Sequence, residues 1–254
     1  MTRQGRTEFT VKLATSNAEL RAAQRLRYDV FIEELGGSGE LVDHENRLER
    51  DRFDPFFDHM ILTPKDSDEV IGVYRLLRGA KAEQAGGFYS EGEYDLTVLK
   101  NSGRRLLELG RSCLHPDYRG GSAMHCLWGG VAEYVAQHRI EVLFGVASFH
   151  GTDIEKLAAP LSLLHERHLA PPELRVRAQD SAFQRMDLVD VDKCDRAAAM
   201  VQVPSLIKAY LRLGGTVGEG AFVDRDFNTT DVCLILDTAQ MNARQARIYG
   251  GSRG

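Results

Sequence analysis

The sequence predicts an α/β (α+β) fold: a central, mixed and twisted sheet flanked by helices on both faces. Three observations carry that prediction. Two apolar strand runs, 59–63 and 70–77, are joined by the turn formers Pro64-Lys65-Asp66-Ser67-Asp68 and read as an antiparallel hairpin. A strand at 104–114 leads through a glycine turn into a helix and then into the continuous apolar run 142–149, which is the pattern of a βαβ unit with a strand buried on both faces. Finally, 254 residues with 43% hydrophobic content supply a core for one large domain, read here as spanning 1–254 with flexible tails at 1–8 and 239–254.

The elements follow in order. Residues 9–14 alternate as a short strand. Ser16-Asn17-Ala18-Glu19 is a capping box opening a helix that carries Leu20, Ala23, Leu26, Arg27, Val30 and Phe31 and ends near Leu35-Gly36-Gly37. Residues 38–58 are charged and glycine-rich without periodicity and read as a long loop, of a length that is commonly functional or mobile. The hairpin follows, and 79–102 is read as irregular. The helix after the glycine turn presents Met124, Leu127, Trp128, Val131, Tyr134 and Val135 on one face. A further helix is expected at 153–169, whereas 170–200 gives no clear period. Pro204 and Gly214 bracket a helix at 205–213, and strands at 217–223 and 232–237 close the fold.

Composition narrows the function. A net charge of −5 and aromatics not interleaved with basic residues argue against nucleic-acid binding. The polar start and the lack of a long apolar run point to a cytoplasmic protein, with peripheral contact to the membrane face left open. Cys113, Cys126, Cys194 and Cys233 show no ligand spacing, so reduced core or near-core thiols are expected, with no metal site. His165 and His168 share a helix without thiolate or carboxylate neighbours in sequence.

The segment richest in chemistry is Glu108-Leu109-Gly110-Arg111-Ser112, an ionisable pair inside an apolar strand. Side chains three apart in a strand face opposite sides, and a bulge at Gly110 would bring Glu108 and Arg111 to one side. An ordinary ion pair at a sheet edge is the alternative. The turn Pro116-Asp117-Tyr118-Arg119-Gly120-Gly121-Ser122 before a helix N-terminus suits an anion, although Ser122 and Met124 depart from the glycine pattern of a coenzyme A pyrophosphate loop. His115 reads as a turn residue. Arg27 and Arg75 interrupt apolar faces, and Asp51 and Asp54 sit in the charged loop. Pairings of Asp51 and Asp54 with Arg27, and of Glu108 with Arg75 or Arg111, are expected.

Four ordered motifs, Leu26-Arg27-Tyr28-Asp29-Val30-Phe31, Asp51-Arg52-Phe53-Asp54, Gly72-Val73-Tyr74-Arg75-Leu76 and Glu108-Leu109-Gly110-Arg111, resemble those of acyl-homoserine lactone synthases, members of the GNAT acyltransferase superfamily. The segments 114–119, 204–215 and Asp224-Arg225-Asp226-Phe227 look more like the bacterial ornithine lipid N-acyltransferases, over roughly 9–237. That resemblance implies a GNAT-like fold and transfer of a (3-hydroxy)fatty acyl group from acyl carrier protein to the α-amine of ornithine, giving a lyso-ornithine lipid. It implies no permanently bound cofactor, the acyl-phosphopantetheine being a co-substrate that enters between the strands of Glu108 and Val142. The alternatives are an acyl-homoserine lactone synthase using S-adenosylmethionine and an N-acyltransferase for another amino acid such as glutamine.

The expected roles follow from thioester aminolysis, which needs a proton acceptor, a hold on the oxyanion and a grip on the amine substrate. Glu108, Arg111 and Ser112 are the catalytic candidates, with backbone N–H groups around 110–112 polarising the thioester. Arg27, Phe31, Asp51, Asp54 and Arg75 are the substrate-binding candidates, arginines holding the carboxylate and an aspartate the δ-amine. Arg119, Gly120, Gly121, Phe144 and Phe149 are the acyl and phosphopantetheine candidates, and Arg104, Arg105 and Arg119 a basic rim for the acidic carrier protein.

Overall fold

A computed structural model describes residues 8–241. In chain order the elements are β1 (Phe9–Leu13), α1 (Asn17–Arg27), a π-helical continuation (Tyr28–Glu34), β2 (Asp58–Pro64), β3 (Gly72–Arg78), α2 (Gly79–Ala85), a 3-10 turn (Tyr89–Gly92), β4 (Tyr94–Asp95), α3 (Thr97–Lys100) and β5 (Leu106–Leu114). There follow α4 (Ala123–His138), β6 (Val142–His150), α5 (Ile154–His168), β7 (Arg177–Ala178), β8 (Phe183–Gln184), α6 (Arg196–Gln202), α7 (Ser205–Arg212), β9 (Thr216–Val217), β10 (Ala221–Asp224) and β11 (Thr229–Asp237). The chain forms two compact units that interleave in sequence, one built from 8–77 and 109–138 and the other from 78–108 and 139–241. Strand β5 runs from the second into the first.

In the first unit the strand order is β1-β2-β3-β5, with β1 and β3 both antiparallel to β2. The Ser16 hydroxyl accepts from the Glu19 N–H at 3.2 Å and Glu19 Oε2 accepts from the Ser16 N–H at 3.1 Å, so the expected capping box starts α1. Its apolar stripe, Ala23 and Leu26, continues through Val30 and packs on Ile61, Val73 and Cys113. Helix α4 lies hard against β1 and β2: a methyl group on Gly130 would stand 2.4 Å from Val11 Cγ1 and 2.9 Å from Met60 Sδ, which only glycine avoids. The long loop is fastened rather than loose. Leu48, Phe53 and Phe57 are buried, the Glu49 N–H donates to Gln24 O at 3.1 Å, and Arg47 pairs with Asp29 and Glu33.

In the second unit the order is β5-β6-β11-β10-β8, with β9 on β11. Residues 106–108 of β5 run parallel to 142–144 of β6, the pairing expected of a βαβ unit, while β11 is antiparallel to β6 along its whole length. The segment 79–102, expected to be irregular, contains α2, α3 and a 3-10 turn. Helix α2 opens on Gly79 without a side-chain cap, so the usual start signal is missing from its sequence. The strand expected at 217–223 is broken into β9 and β10 around Gly220, whose φ of +74° a side-chain-bearing residue rarely adopts. The tails expected at 1–8 and 239–254 fall almost entirely outside the described residues. None of the four cysteines forms a disulfide; Cys113 and Cys233 are buried, and Cys126 and Cys194 are partly so.

Candidate functional site

Helix α1, the pinned loop, β3 and β5 gather six charges in the first unit. Arg27, fully buried at the end of α1, donates to Asp54 Oδ1 at 2.9 Å and to Glu49 Oε2 at 2.5 Å. Arg75, equally buried on β3, reaches Asp51 and Asp54 at 2.7 Å each and stacks its guanidinium 4.3 Å from the Phe57 ring. Arg111 donates to Glu49 Oε1 at 3.1 Å, lies 3.9 Å from Asp51, and stands over Phe31 at 5.7 Å. Three arginines thus face three carboxylates. Burial by itself raises Asp54, but the Arg27 and Arg75 guanidiniums outweigh it and hold the carboxyl at about 2. Glu49 is likewise held low against its burial by Arg111, Arg27 and Arg75. His59, whose Nε2 lies 3.0 Å from Asp54 O, is pushed down by burial.

The substrate-binding candidates Arg27, Asp51, Asp54 and Arg75 thus lie together in one unit, with Phe31 beside the catalytic candidate Arg111; Asp54 pairs with Arg27 as expected and with Arg75 as well, Asp51 pairs with Arg75, and Arg27 also holds Glu49. Sequence reasoning missed Glu49, and also Gln24, which donates to Asp54 Oδ2 at 2.9 Å. Charge arithmetic is the signal that finds Glu49, since two buried arginines and the partly buried Arg111 against two aspartates call for a third carboxylate.

Within β5 the left-handed backbone falls on Arg111 rather than on Gly110. The Arg111 φ of +50° is a conformation that costs a non-glycine residue roughly 1–3 kcal/mol and persists where its surroundings enforce it. In that conformation the Arg111 side chain reaches Glu49 at 3.1 Å. The neighbouring Ser112 Oγ is buried with no hydrogen-bond partner among the described residues.

The second unit holds Glu108 differently. Its carboxylate, 1% exposed, accepts from the Tyr89 N–H at 2.8 Å, the Ser90 N–H at 2.7 Å and the Ser90 hydroxyl at 2.5 Å. Phe144 and Phe149 are core residues of this unit, Phe144 packing edge-on against Phe88 at 5.0 Å. Three further carboxylates, Glu93, Asp224 and Asp231, bring one oxygen each within 4.8 Å of one another. Asp231 is buried on β11 and its carboxyl is pushed up to about 6, burial being the main cause.

The remaining candidates are engaged elsewhere. Arg119 forms a two-pronged pair with Glu34 at 2.6 Å and donates from Nε to Leu114 O, while Gly120 takes a φ of +76°. Arg104 pairs with Asp237 at 2.5 Å, and Arg105 lies 3.7 Å from Glu141. His115 accepts from the Asp117 N–H at 3.3 Å, as a turn residue does.

The chain is an acyl-transferring enzyme that carries a GNAT-type domain. A family profile described as acetyltransferase (GNAT) domain matches residues 26–129. The fold is also that of a solved coenzyme A-dependent acyl-homoserine lactone synthase, BjaI (13% identity, TM-score 0.55, covering 95% of this chain and 88% of that one), and of the acyl-homoserine lactone synthase LasI (16%, 0.52, 96% of each chain). More particularly, the chain belongs to the family of L-ornithine N(alpha)-acyltransferases. It is 59% identical to the protein of that name from Rhodobacter capsulatus over 95% of this chain and 94% of the relative, and 42% identical to the one from Brucella abortus over 94% and 88%.

Proposed function

We propose that this enzyme transfers a (3-hydroxy)fatty acyl group from the phosphopantetheine thioester of acyl carrier protein to the α-amine of ornithine, the first step of ornithine lipid synthesis. Identities of 59% and 42% over nearly the whole chain to proteins named for the ornithine reaction support the acceptor. The acidic carrier protein as donor is supported by the serine and methionine that replace glycines in the turn at 119–124, a poor cradle for a pyrophosphate.

The observation that carries the mechanism is the buried Glu108 carboxylate three residues before the strained Arg111. Glu108, directly or through a water, takes a proton from the ornithine α-ammonium. The freed amine attacks the thioester carbon, the C–N bond forms, and backbone N–H groups around 110–112 hold the oxyanion. The C–S bond then breaks, and the thiolate leaves with a second proton from the amine, regenerating the carboxylate when Glu108 releases its own. Exposure divides the roles within the charge cluster. Arg27, Arg75 and Asp54 are buried and serve as the frame, whereas Arg111 and Asp51 each keep 18% of the side chain open. Arg111 suits the substrate carboxylate, and Asp51 the δ-ammonium. Arg119, Gly120 and Gly121 are assigned to the single phosphate of the pantetheine arm, and Phe144 and Phe149 to the dry wall behind the acyl chain.

The test is an assay of purified enzyme with acyl carrier protein thioester and ornithine, with mass spectrometry of the product. Glu108→Gln is expected to lower turnover by about 10²–10⁴ while leaving the fold intact. Near-normal turnover by that variant would remove Glu108 from the chemistry; a lactone from S-adenosylmethionine, or an acylated glutamine, would replace the acceptor.

A further inference from the structure

We infer that Ser90 is a positioning residue, its hydroxyl and backbone N–H together fixing the plane of the Glu108 carboxylate for proton transfer. The inference rests on the reading of Glu108 as the proton acceptor. Strand pairing sets only where Glu108 begins: its backbone is registered against Phe144 of β6. The carboxylate lies three torsions further out, and the last of these joins a tetrahedral to a planar carbon, so it has no sharp rotamer well. Hydrogen bonds must set the plane instead. Ser90 supplies two of the three described, both to Oε1, at 2.7 and 2.5 Å, while the Tyr89 N–H holds Oε2 at 2.8 Å.

The clamp is itself rigid. The 3-10 turn at Tyr89–Gly92 is closed by the Phe88 N–H donating to Glu91 Oε1 at 2.9 Å, and Lys100 Nζ holds the other Glu91 oxygen at 2.8 Å. Phe88 packs edge-on against the ring of Phe144, the residue in register with Glu108, so turn and strand are tied at both ends. Ser90 is 1% exposed, which keeps water from competing for its hydroxyl. Any residue except proline offers the two backbone donors. The hydroxyl is the donor that depends on residue type, and so the one a substitution removes without touching the main chain.

The test is a double-mutant cycle on the full-length enzyme, with Ser90→Ala, Glu108→Gln and the pair, read as kcat and KM for ornithine. Ser90→Ala is expected to lower kcat about 10- to 100-fold, the worth of one hydrogen bond to a charged group, with KM within about twofold. In the Glu108→Gln background the same change is expected to cost nothing further, because Ser90 acts only through Glu108. Ser90→Cys, similar in size with a weaker donor, is expected to fall between serine and alanine, and serves as the readout should the alanine variant fold poorly. Unchanged kcat in the Ser90 variants, alongside an impaired Glu108→Gln, would overturn the role of Ser90 and leave the base assignment standing. Equal losses in both backgrounds would overturn it too, by showing that Ser90 acts independently. An active Glu108→Gln enzyme would instead remove the base assignment, and this inference with it.

Discussion

The buried carboxylates Asp54 and Asp231 belong to different units and are stabilised in opposite ways. Asp54 lies between two guanidiniums, and its carboxyl is held at about 2 although burial works against it. Asp231 has neutral partners, Thr229 among them, and two carboxylates, Glu93 and Asp224, as neighbours; burial prevails and its carboxyl rises to about 6. Depth is similar in the two cases, with 6% and 3% of each residue exposed. The sign of the shift is set by whether a cation shares the buried volume, since desolvation always penalises the charged form and only a nearby opposite charge outweighs it.

The sharpest way to break this contrast is to take a cation away. Arg27→Met leaves Glu49 and Asp54 buried with one guanidinium fewer, a change expected to cost about 3–5 kcal/mol. Thermal unfolding should fall by roughly 10 °C or more. A shift of only a degree or two would mean that the cluster is hydrated and its pairing of little consequence.

The second prediction separates the two carboxylates by pH. Asp54 has a depressed folded-state value, so its contribution, about 2 kcal/mol from a fall of 3.8 to about 2, is present above pH 3.8 and is lost as pH falls through 2. Asp231 has a raised one: between pH 3.8 and about 6 the native state keeps a proton that the unfolded state has lost, so stability declines as pH rises through that window, by up to about 3 kcal/mol. Asp231→Asn should therefore be more stable than the parent at pH 7, with the gap closing below pH 4. Denaturant titrations across pH 3 to 8 read this directly, and a gap independent of pH would show that Asp231 does not titrate as described.

The smallest effect probes the neutral donor. The Thr229 hydroxyl donates to Asp231 Oδ2 at 3.1 Å, and Thr229→Val should destabilise by about 1 kcal/mol at neutral pH. The cost should shrink in the Asp231→Asn background; an undiminished cost would place the role of Thr229 in packing instead.

Much of the first unit was legible in the chain. Ser16 and Glu19 announce α1 because a capping box involves residues three apart, Arg27, Arg75 and Arg111 stand out because charge inside an apolar run needs a partner, and Asp51 and Asp54 stand out only through the ordered motif in the charged loop. The second unit is less legible. Helix α2 begins on glycine without a cap, and Ser90, in the turn that clamps Glu108, looks like any turn serine. Glu93, Asp224 and Asp231 come from three segments with no shared pattern, which folding alone brings together.

By itself the sequence determined the strands and helices around β5, the residue types of the charge cluster and, through ordered motifs, the kind of chemistry. Those signals are local, carried by period 2, period 3.6 and caps of three or four residues. Tertiary structure decided that Arg75 holds both aspartates, that Glu49 completes the balance, that the left-handed residue is Arg111, and that Glu108 is held by the 89–90 turn. Coulombic attraction and desolvation depend on distance and burial across the fold, and neither is written into sequence spacing.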